Sequence, residues 1–552
     1  MTRKILTMTL ALIMVFAVVL TGCNSGNGTA TTTASTTTAA GTTAATTAGA
    51  TTTAAATTAP AASGSSYDTG SIEFEPLGID GEGASLVWYS AMPPHDTRQQ
   101  VWDETMKYVK DVYNMDVQAN LTEWAEYGAK VKTLIASGMA PDVFFTVPSF
   151  GFLDYVADEV LLDLTDYFPQ YMPKTLAKTP EGILDAVTFD GKIYAVVPFK
   201  DLAENNSVLY DQRWLDESGL TMPEWTRMYD LDELLYGLRE WVDTAHPERK
   251  DIPISDMYSL FYRNFDLETY SSQNTTIATN YKGLEFIEGY EAEKEMFCMY
   301  DTPEFLAHVK RLNQMVTDRI YPYDIANYDK DRVNRKSGDQ FVWYSQGYVF
   351  APDNLTDYAC KLQMQSVSMM FTGYVQAAMN AVYSDTENPE AACKYIEIMN
   401  NDPFLGTQLR FGYEGTHWTL TDNGQADCSM GKESGVKYWY GVQIGDITNC
   451  ILPTDVSPEF GKALQDLNNN SIRSSNLGFS PDTANVLNEV TAVAAVCTEY
   501  LNNTSLYSGM LTDADTDKIV DEFVTKLKDS GVETILNEFQ TQLDAWRSAN
   551  GK

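Results

Sequence analysis

The sequence predicts an α/β protein of two lobes with a helical tail. Three observations carry that reading. Strand, helix, strand, helix and strand alternate between Ser85 and Phe145, and amphipathic helices dominate the second half. Roughly 480 residues remain beyond the N-terminal stretch, more than one hydrophobic core encloses and enough for two lobes.

The chain opens with Arg3 and Lys4, an apolar run from Ile5 to Leu20, and Thr21-Gly22-Cys23. A basic head, an apolar stretch and small residues before a break form a secretory signal rather than a spanning helix. The Cys after Thr-Gly resembles the lipobox of bacterial lipoproteins, which implies cleavage after residue 22 and lipidation of Cys23. Two acyl chains on one residue would supply a stable anchor. The competing reading is an ordinary cleaved signal followed by an unrelated Cys. From Cys23 to about residue 72 the chain is rich in Thr, Ala, Gly and Ser, with Tyr67 its first aromatic residue and Asp68 its first charge. Such a segment buries too little apolar surface to offset its ordering entropy, so it is expected to be a disordered tether.

Ser85-Leu-Val-Trp-Tyr89 reads as the first strand. Val101, Tyr108, Val109 and Val112 follow at helical spacing, then Met115, Val117, Ala119 and Leu121 alternate as a strand. A helix presents Trp124, Tyr127, Val131, Leu134 and Ile135 and stops at Ser137-Gly138. Val143-Phe-Phe145 is a short buried strand. In an open α/β sheet ligands bind beyond the carboxyl ends of the strands, which points to the residues after Trp88 and after Phe145. Later helices are lined by Phe305, Val309, Leu312 and Val316, then by Ala392, Tyr395, Ile396 and Met399. Val532, Ile535, Leu536, Phe539, Leu543 and Trp546 form a last stripe.

Removing Arg3 and Lys4 from the 38 basic residues leaves 36 against 76 acidic ones, a net charge of −40. A polyanionic partner such as nucleic acid would be repelled. Aromatic residues make up 12% of the chain, most of them Tyr and Trp. Many are core residues, and a surplus suits sugar binding, in which a ring face packs on the apolar face of a pyranose. Six cysteines follow Cys23: Cys298, Cys360, Cys393, Cys428, Cys450 and Cys497. Their scatter supports neither a zinc site nor a disulfide framework, although Cys428 and Cys450 could pair across a loop. The four histidines, His95, His246, His308 and His417, form no metal-spaced motif, and neither a GxSxG elbow nor a P-loop occurs. Paired carboxylates for glycoside hydrolysis stay open, because 76 acidic residues guarantee pairs.

Six landmarks in order carry a family resemblance. They are Trp124 to Gly138 followed by Pro141-Asp-Val-Phe-Phe-Thr146, Leu161-Leu-Asp-Leu-Thr-Asp166, Asp190-Gly-Lys-Ile-Tyr-Ala-Val-Val-Pro198, Asn388-Pro-Glu-Ala-Ala-Cys-Lys-Tyr-Ile396, Phe411-Gly-Tyr-Glu-Gly-Thr-His-Trp418, and Gly478-Phe-Ser-Pro-Asp482 with the tail to Trp546. From about residue 84 onward the chain resembles extracellular solute-binding proteins of family 1, in particular the LipO- and LplA-like sugar-binding lipoproteins. The resemblance implies a two-lobed periplasmic-binding-protein-like clamp of type II, each lobe a sheet flanked by helices. Lobe 1 would comprise 80–198 and 370–415, and lobe 2 would comprise 199–369 and 416–552. It further implies capture of an oligosaccharide between the lobes and delivery to the permease subunits of an ABC importer, by a monomer on the outer face of the cytoplasmic membrane, without enzymatic activity or a cofactor. A lipid-anchored glycoside hydrolase and a sugar-sensing lipoprotein feeding a receptor kinase are the alternatives. Met92-Pro-Pro-His95 and Lys200-Asp201 depart from the family pattern in ligand-facing places.

The candidate ligand-binding residues are Tyr89, Phe145, Trp343, Glu414, His417 and Trp418. Tyr89 and Phe145 end strands, whereas Glu414, His417 and Trp418 share a loop flanked by Gly412 and Gly415. A carboxylate there would orient sugar hydroxyls through charge-assisted hydrogen bonds. The competing reading for Glu414 is a cap or salt bridge holding its loop, and for each aromatic it is core packing. Trp88, Trp124, Tyr127, Tyr344 and Trp439 complete the aromatic set of interest.

Overall fold

The computed structural model describes residues 69–256, 260–270, 276–322, 341–346, 360–431, 435–501 and 504–552. The signal-like segment, Cys23 and the Thr/Ala-rich stretch up to residue 68 lie outside the described residues.

The first strand, β1 (Ala84–Ala91), is followed by α1 (Asp96–Tyr113). The helix starts where the His95 ring accepts the Thr97 N–H at 3.2 Å, satisfying a donor that the first turn leaves open, and it stops at Asn114 in the left-handed region. Strand β2 (Met115–Thr122) buries Met115, Val117, Ala119 and Leu121 in alternation, as a sheet with one face on the core requires. After α2 (Trp124–Ala136) comes β3 (Val143–Thr146), buried at all four residues. β1 pairs in parallel with both β2 and β3. Trp88 of β1 stacks on Trp102 of α1 with ring centroids 4.8 Å apart, which fixes helix against sheet.

The chain then crosses to a second body. β4 (Asn206–Asp211) is buried throughout, and α3 (Asp232–Ala245) packs its Leu234, Leu235, Leu238 and Val242 into the same core. A small antiparallel sheet of Leu267–Thr269, Ile277–Asn280 and Phe297–Cys298 follows. α4 (Pro303–Thr317) opens with Thr302 capping the Phe305 N–H and proline in the first turn. β5 (Val342–Gln346) and β6 (Cys360–Met364) flank β4 on either side, both antiparallel.

The return passes through β7 (Met369–Met370) to β8 (Met379–Val382), which pairs antiparallel with β3 and completes a sheet of order β8-β3-β1-β2. Helices α5 (Pro389–Asn401) and α6 (Pro403–Phe411) cover it. A last passage runs from α7 (Phe460–Asn470) into β9 (Ile472–Arg473), parallel to β7. The tail α8 (Leu487–Leu501), α9 (Asp513–Asp529) and α10 (Val532–Ala549) buries Val490, Val493, Phe523, Leu527, Ile535 and Phe539 in the second core. The fold is thus the expected two-lobed α/β clamp with a helical tail. No helix of the described residues is long and apolar enough to cross a membrane.

Two details differ from the expectation. The core that holds β1 continues through Trp418, Ala426, Cys428, Val436 and Ile444, so a division at 415/416 falls inside one packed core. The reason is local: the Gly412–Trp418 loop folds the chain back onto α6 instead of releasing it towards the second lobe. Cys428 and Cys450 are free thiols rather than a disulfide, each turned towards a nearby backbone carbonyl (Ala426 at 3.7 Å and Ile447 at 3.8 Å).

Three crossing segments join the lobes and touch one another. Val196 bridges Asn380, Glu204 bridges Met369, and Met369 pairs with Ile472. Two buried carboxyls lie beside them. Asp266 accepts the Gln365 amide at 2.8 Å, and burial pushes it up to about 8; Glu268 accepts the Ser474 hydroxyl, and burial pushes it up to about 7. Both values exceed those of an unfolded chain, so the folded state holds these protons more tightly. Between about pH 4 and pH 8 the unfolded chain ionises first, and these two groups make stability fall as pH rises. Asp266→Asn should therefore flatten the decline of Tm with pH in that interval. An unchanged slope would remove Asp266 as its source.

Candidate functional site

The carboxyl ends of β1 and β3 carry an aromatic shelf. The Tyr127 hydroxyl of α2 lies 2.8 Å from Phe145 O and 3.1 Å from Tyr89 O, and so stitches the two strand ends together. Burial drives that phenol well above its ordinary range, so it stays a donor. Phe145 is buried beneath Trp124, with centroids 5.8 Å apart, and Trp124 packs against Phe150 at 4.7 Å. Trp124 and Phe150 are only half-buried, as is Tyr89, whose ring lies 5.3 Å from the Lys130 ammonium. Tyr89, Trp124 and Phe150 therefore keep ring surface beyond the strand ends, while Phe145 supports them from below.

A second wall comes from residues 435–444. The Arg98 guanidinium donates to Pro93 O and Gly435 O and lies 5.6 Å from the Tyr438 ring centroid. Gln443 Nε2 donates to Ala91 O at 2.9 Å. These bonds fasten the loop to the end of β1, beside the exposed Pro93, Pro94 and His95. Tyr438 and Tyr440 are half-buried there.

The base is a polar knot where the lobes join. The Asp201 carboxylate accepts the Tyr374 hydroxyl at 3.2 Å and the Tyr440 hydroxyl. Lys200 Nζ donates to Asp201 O at 2.9 Å and Tyr374 O at 3.1 Å, and burial pulls its ammonium down to about 8. Burial pushes the Asp201 carboxyl the other way, upwards. Asn468 of α7 closes the knot, donating to Lys200 O and accepting the Leu202 N–H, each at 2.8 Å. Lys200 to Leu202, Tyr374, Tyr440 and Asn468 thus form one connected hydrogen-bonded group.

The other candidates sit elsewhere. Trp343 of β5 is fully buried in the second lobe against Leu209 and Leu362. Trp418 is fully buried in the core of the first lobe, and its Nε1 donates to Gly412 O at 2.9 Å. His417 is buried too; its Nδ1 accepts the Tyr413 N–H at 3.0 Å, and burial lowers its affinity for a proton. Gly412 permits this loop: its φ is +77°, and a Cβ there would meet the His417 ring at 2.5 Å. Glu414 accepts the Ser71 N–H at 2.8 Å and the Ser71 hydroxyl. The structure brings Tyr89 and Phe145 together, and it places Glu414, His417 and Trp418 in a separate, self-bonded loop.

Sequence reasoning did not single out Phe150, Tyr374, Tyr438 or Tyr440. Phe150 follows Pro148-Ser149 directly after β3, so the strand-end rule pointed to it; the three tyrosines arrive through long-range folding. Among the described residues no cluster of acidic, His or Cys side chains is arranged to hold a metal ion.

Comparison with known proteins bears on this geometry. Residues 475–548 match a family model described as a domain of unknown function, DUF3502. A carbohydrate ABC transporter substrate-binding protein of Streptococcus pneumoniae serotype 4 is 21% identical over 487 residues, covering 84% of this chain and 91% of that protein. The crystal structure of the N-glycan transport solute-binding protein NgtS from Streptococcus pneumoniae superposes with a TM-score of 0.71 at 18% identity, over 85% of this chain and 100% of that one. An HMO-binding, ABC-transporter-associated solute-binding protein from Bifidobacterium longum infantis gives 0.54 at 15% identity, over 84% and 99% of the two chains. The chain has the two-lobed solute-binding-protein fold. This is the fold that the resemblance read from the sequence implies.

Proposed function

We propose that this protein is an extracellular solute-binding protein that captures an oligosaccharide between its lobes and delivers it to the permeases of an ABC importer. The observation that carries the reading is the aromatic shelf of half-buried Tyr89, Trp124 and Phe150 at the carboxyl end of the lobe 1 sheet. Ring faces stack the apolar faces of sugars, and lobe closure desolvates the polar contacts around them. The relatives support this, since NgtS has been crystallised with Man1GlcNAc and with Man5GlcNAc.

In this reading Tyr89, Trp124, Phe150 and Tyr438 contact sugar, Phe145 and Tyr127 hold the shelf, and Glu414, His417, Trp418 and Trp343 maintain structure. Calorimetric titration with Man5GlcNAc and with milk oligosaccharides tests it. Trp124→Ala should weaken binding by about 1–3 kcal/mol, the scale of a lost stacking ring in a desolvated site. Undiminished affinity in that variant removes the shelf from the site, and release of shorter sugars by the parent protein contradicts a receptor. The protein acts as a monomer held to the outer face of the membrane through lipid on Cys23. Cys23→Ser should then appear in the medium rather than the membrane fraction, with affinity unaltered; retention of the processed variant at the membrane contradicts lipid anchoring.

A further inference from the structure

Residues 69–81 form neither helix nor strand, yet their burial is patterned. Ile72 is buried in the lobe 1 core, and Phe74, Leu77 and Ile79 pack against that core half-buried. Ser71, Glu73, Glu75, Pro76, Gly78 and Asp80 face solvent. The segment is also hydrogen-bonded along its length. Phe74 lies parallel to Phe404 of α6 with centroids 6.4 Å apart. Leu77 N–H donates to the Tyr113 hydroxyl at 3.5 Å, and Gly81 N–H to Tyr113 O at 2.7 Å. Asn114 Nδ2 donates to the Asp80 carboxylate, and Lys394 Nζ of α5 to Asp80 O, each at 3.0 Å. At the far end Glu414 takes both the N–H and the hydroxyl of Ser71. Gly70 makes that grip possible, because its φ is +59° and a Cβ would lie 2.4 Å from Glu414 Oε2.

All of these partners belong to lobe 1. A plain spacer has no need of them, since ordering a dozen residues costs conformational entropy that a flexible linker keeps. We infer that residues 69–81 are a mounting strap docked along lobe 1, with the Glu414 loop as the clasp that holds its first residues. Any pull arriving through the N-terminal segment is delivered to lobe 1 alone, and lobe 2 is the lobe left free to swing about the crossing segments. That mechanical role rests on the anchoring proposed above, whereas the docking itself does not.

Hydrogen–deuterium exchange with mass spectrometry on the full chain tests the strap, alongside titration with Man5GlcNAc. The variants are Glu414→Ala, Gly70→Val and Ile72→Ser. Amides of residues 71–81 should exchange at least tenfold faster in each variant, while those of β1 remain protected and sugar affinity stays within twofold of the parent. Exchange of 71–81 at the rate of an unstructured chain in the parent protein overturns the proposal. So does unaltered protection in all three variants, or a tenfold loss of affinity in Glu414→Ala, which would return Glu414 to the sugar. Should the parent not bind the sugar, the function proposed above fails while the exchange data still decide the strap.

Discussion

Trp418→Ala lowers the unfolding free energy by about 3–5 kcal/mol, the usual cost of truncating a fully buried Trp, and leaves the sugar affinity of the folded protein unchanged. The indole has no exposed surface and packs with the residues of β1, α1 and α6. Truncation opens a cavity that its neighbours fill only partly. It also removes the donor to Gly412 O, the carbonyl that starts the 412–418 loop. Denaturant unfolding followed by titration of the surviving native protein separates the possibilities. Preserved stability with lost affinity would put Trp418 in the cleft instead.

Arg410→Ala has an effect of similar size, about 3–5 kcal/mol by analogy with breaking a buried charged network, and unlike Trp418→Ala it also weakens sugar binding. The Arg410 side chain is completely buried, and burial lowers its hold on its proton. Its guanidinium donates to Gly406 O at 3.1 Å, to Gly441 O and Gly445 O at 3.3 Å each, and to Asp446 O at 3.0 Å. It thereby ties helix α6 to the segment that positions Tyr440 and Gln443 at the candidate site. Alanine leaves these carbonyls without their donor and frees that segment. Arg410→Lys should fall between the two, because one ammonium cannot reach the same fan of acceptors. Full affinity in a destabilised Arg410→Ala protein would show that the 435–444 wall does not touch sugar.

What the sequence disclosed follows from how far each signal reaches along the chain. Met115, Val117, Ala119 and Leu121 alternate within eight residues, and Phe305, Val309, Leu312 and Val316 repeat within twelve; both patterns survive as the buried faces of β2 and α4. Tyr89 and Phe145 were legible as strand ends because a parallel sheet puts its loops at a known edge. Trp418 was not legible as core, since a Gly-flanked loop with Glu and His looks the same whether it faces a ligand or the chain's own backbone. The difference lies in Ser71, 343 residues away, and in Gly412 O. The junction knot was hidden for the same reason: Asp201, Tyr374 and Tyr440 lie far apart in the sequence and meet only in the fold. The spacing of Ile72, Phe74, Leu77 and Ile79 is broken by Pro76 and follows directly on the Thr/Ala-rich stretch, so the sequence ends the tether at about 72 and leaves 73–79 unassigned before lobe 1.

The free thiols decide which environments the fold tolerates. Burial pushes Cys298 up to about 11, Cys393, Cys428 and Cys450 up to about 12, and Cys497 higher still. Almost none of this sulfur is thiolate at neutral pH, and thiolate is the form that exchanges with disulfides or is oxidised. Among the described residues, then, these five cysteines form no covalent cross-link. These five sulfurs therefore act in the fold as small apolar side chains, filling core space in place of alanine or valine, and oxidants in the surrounding solution meet little reactive thiolate among them.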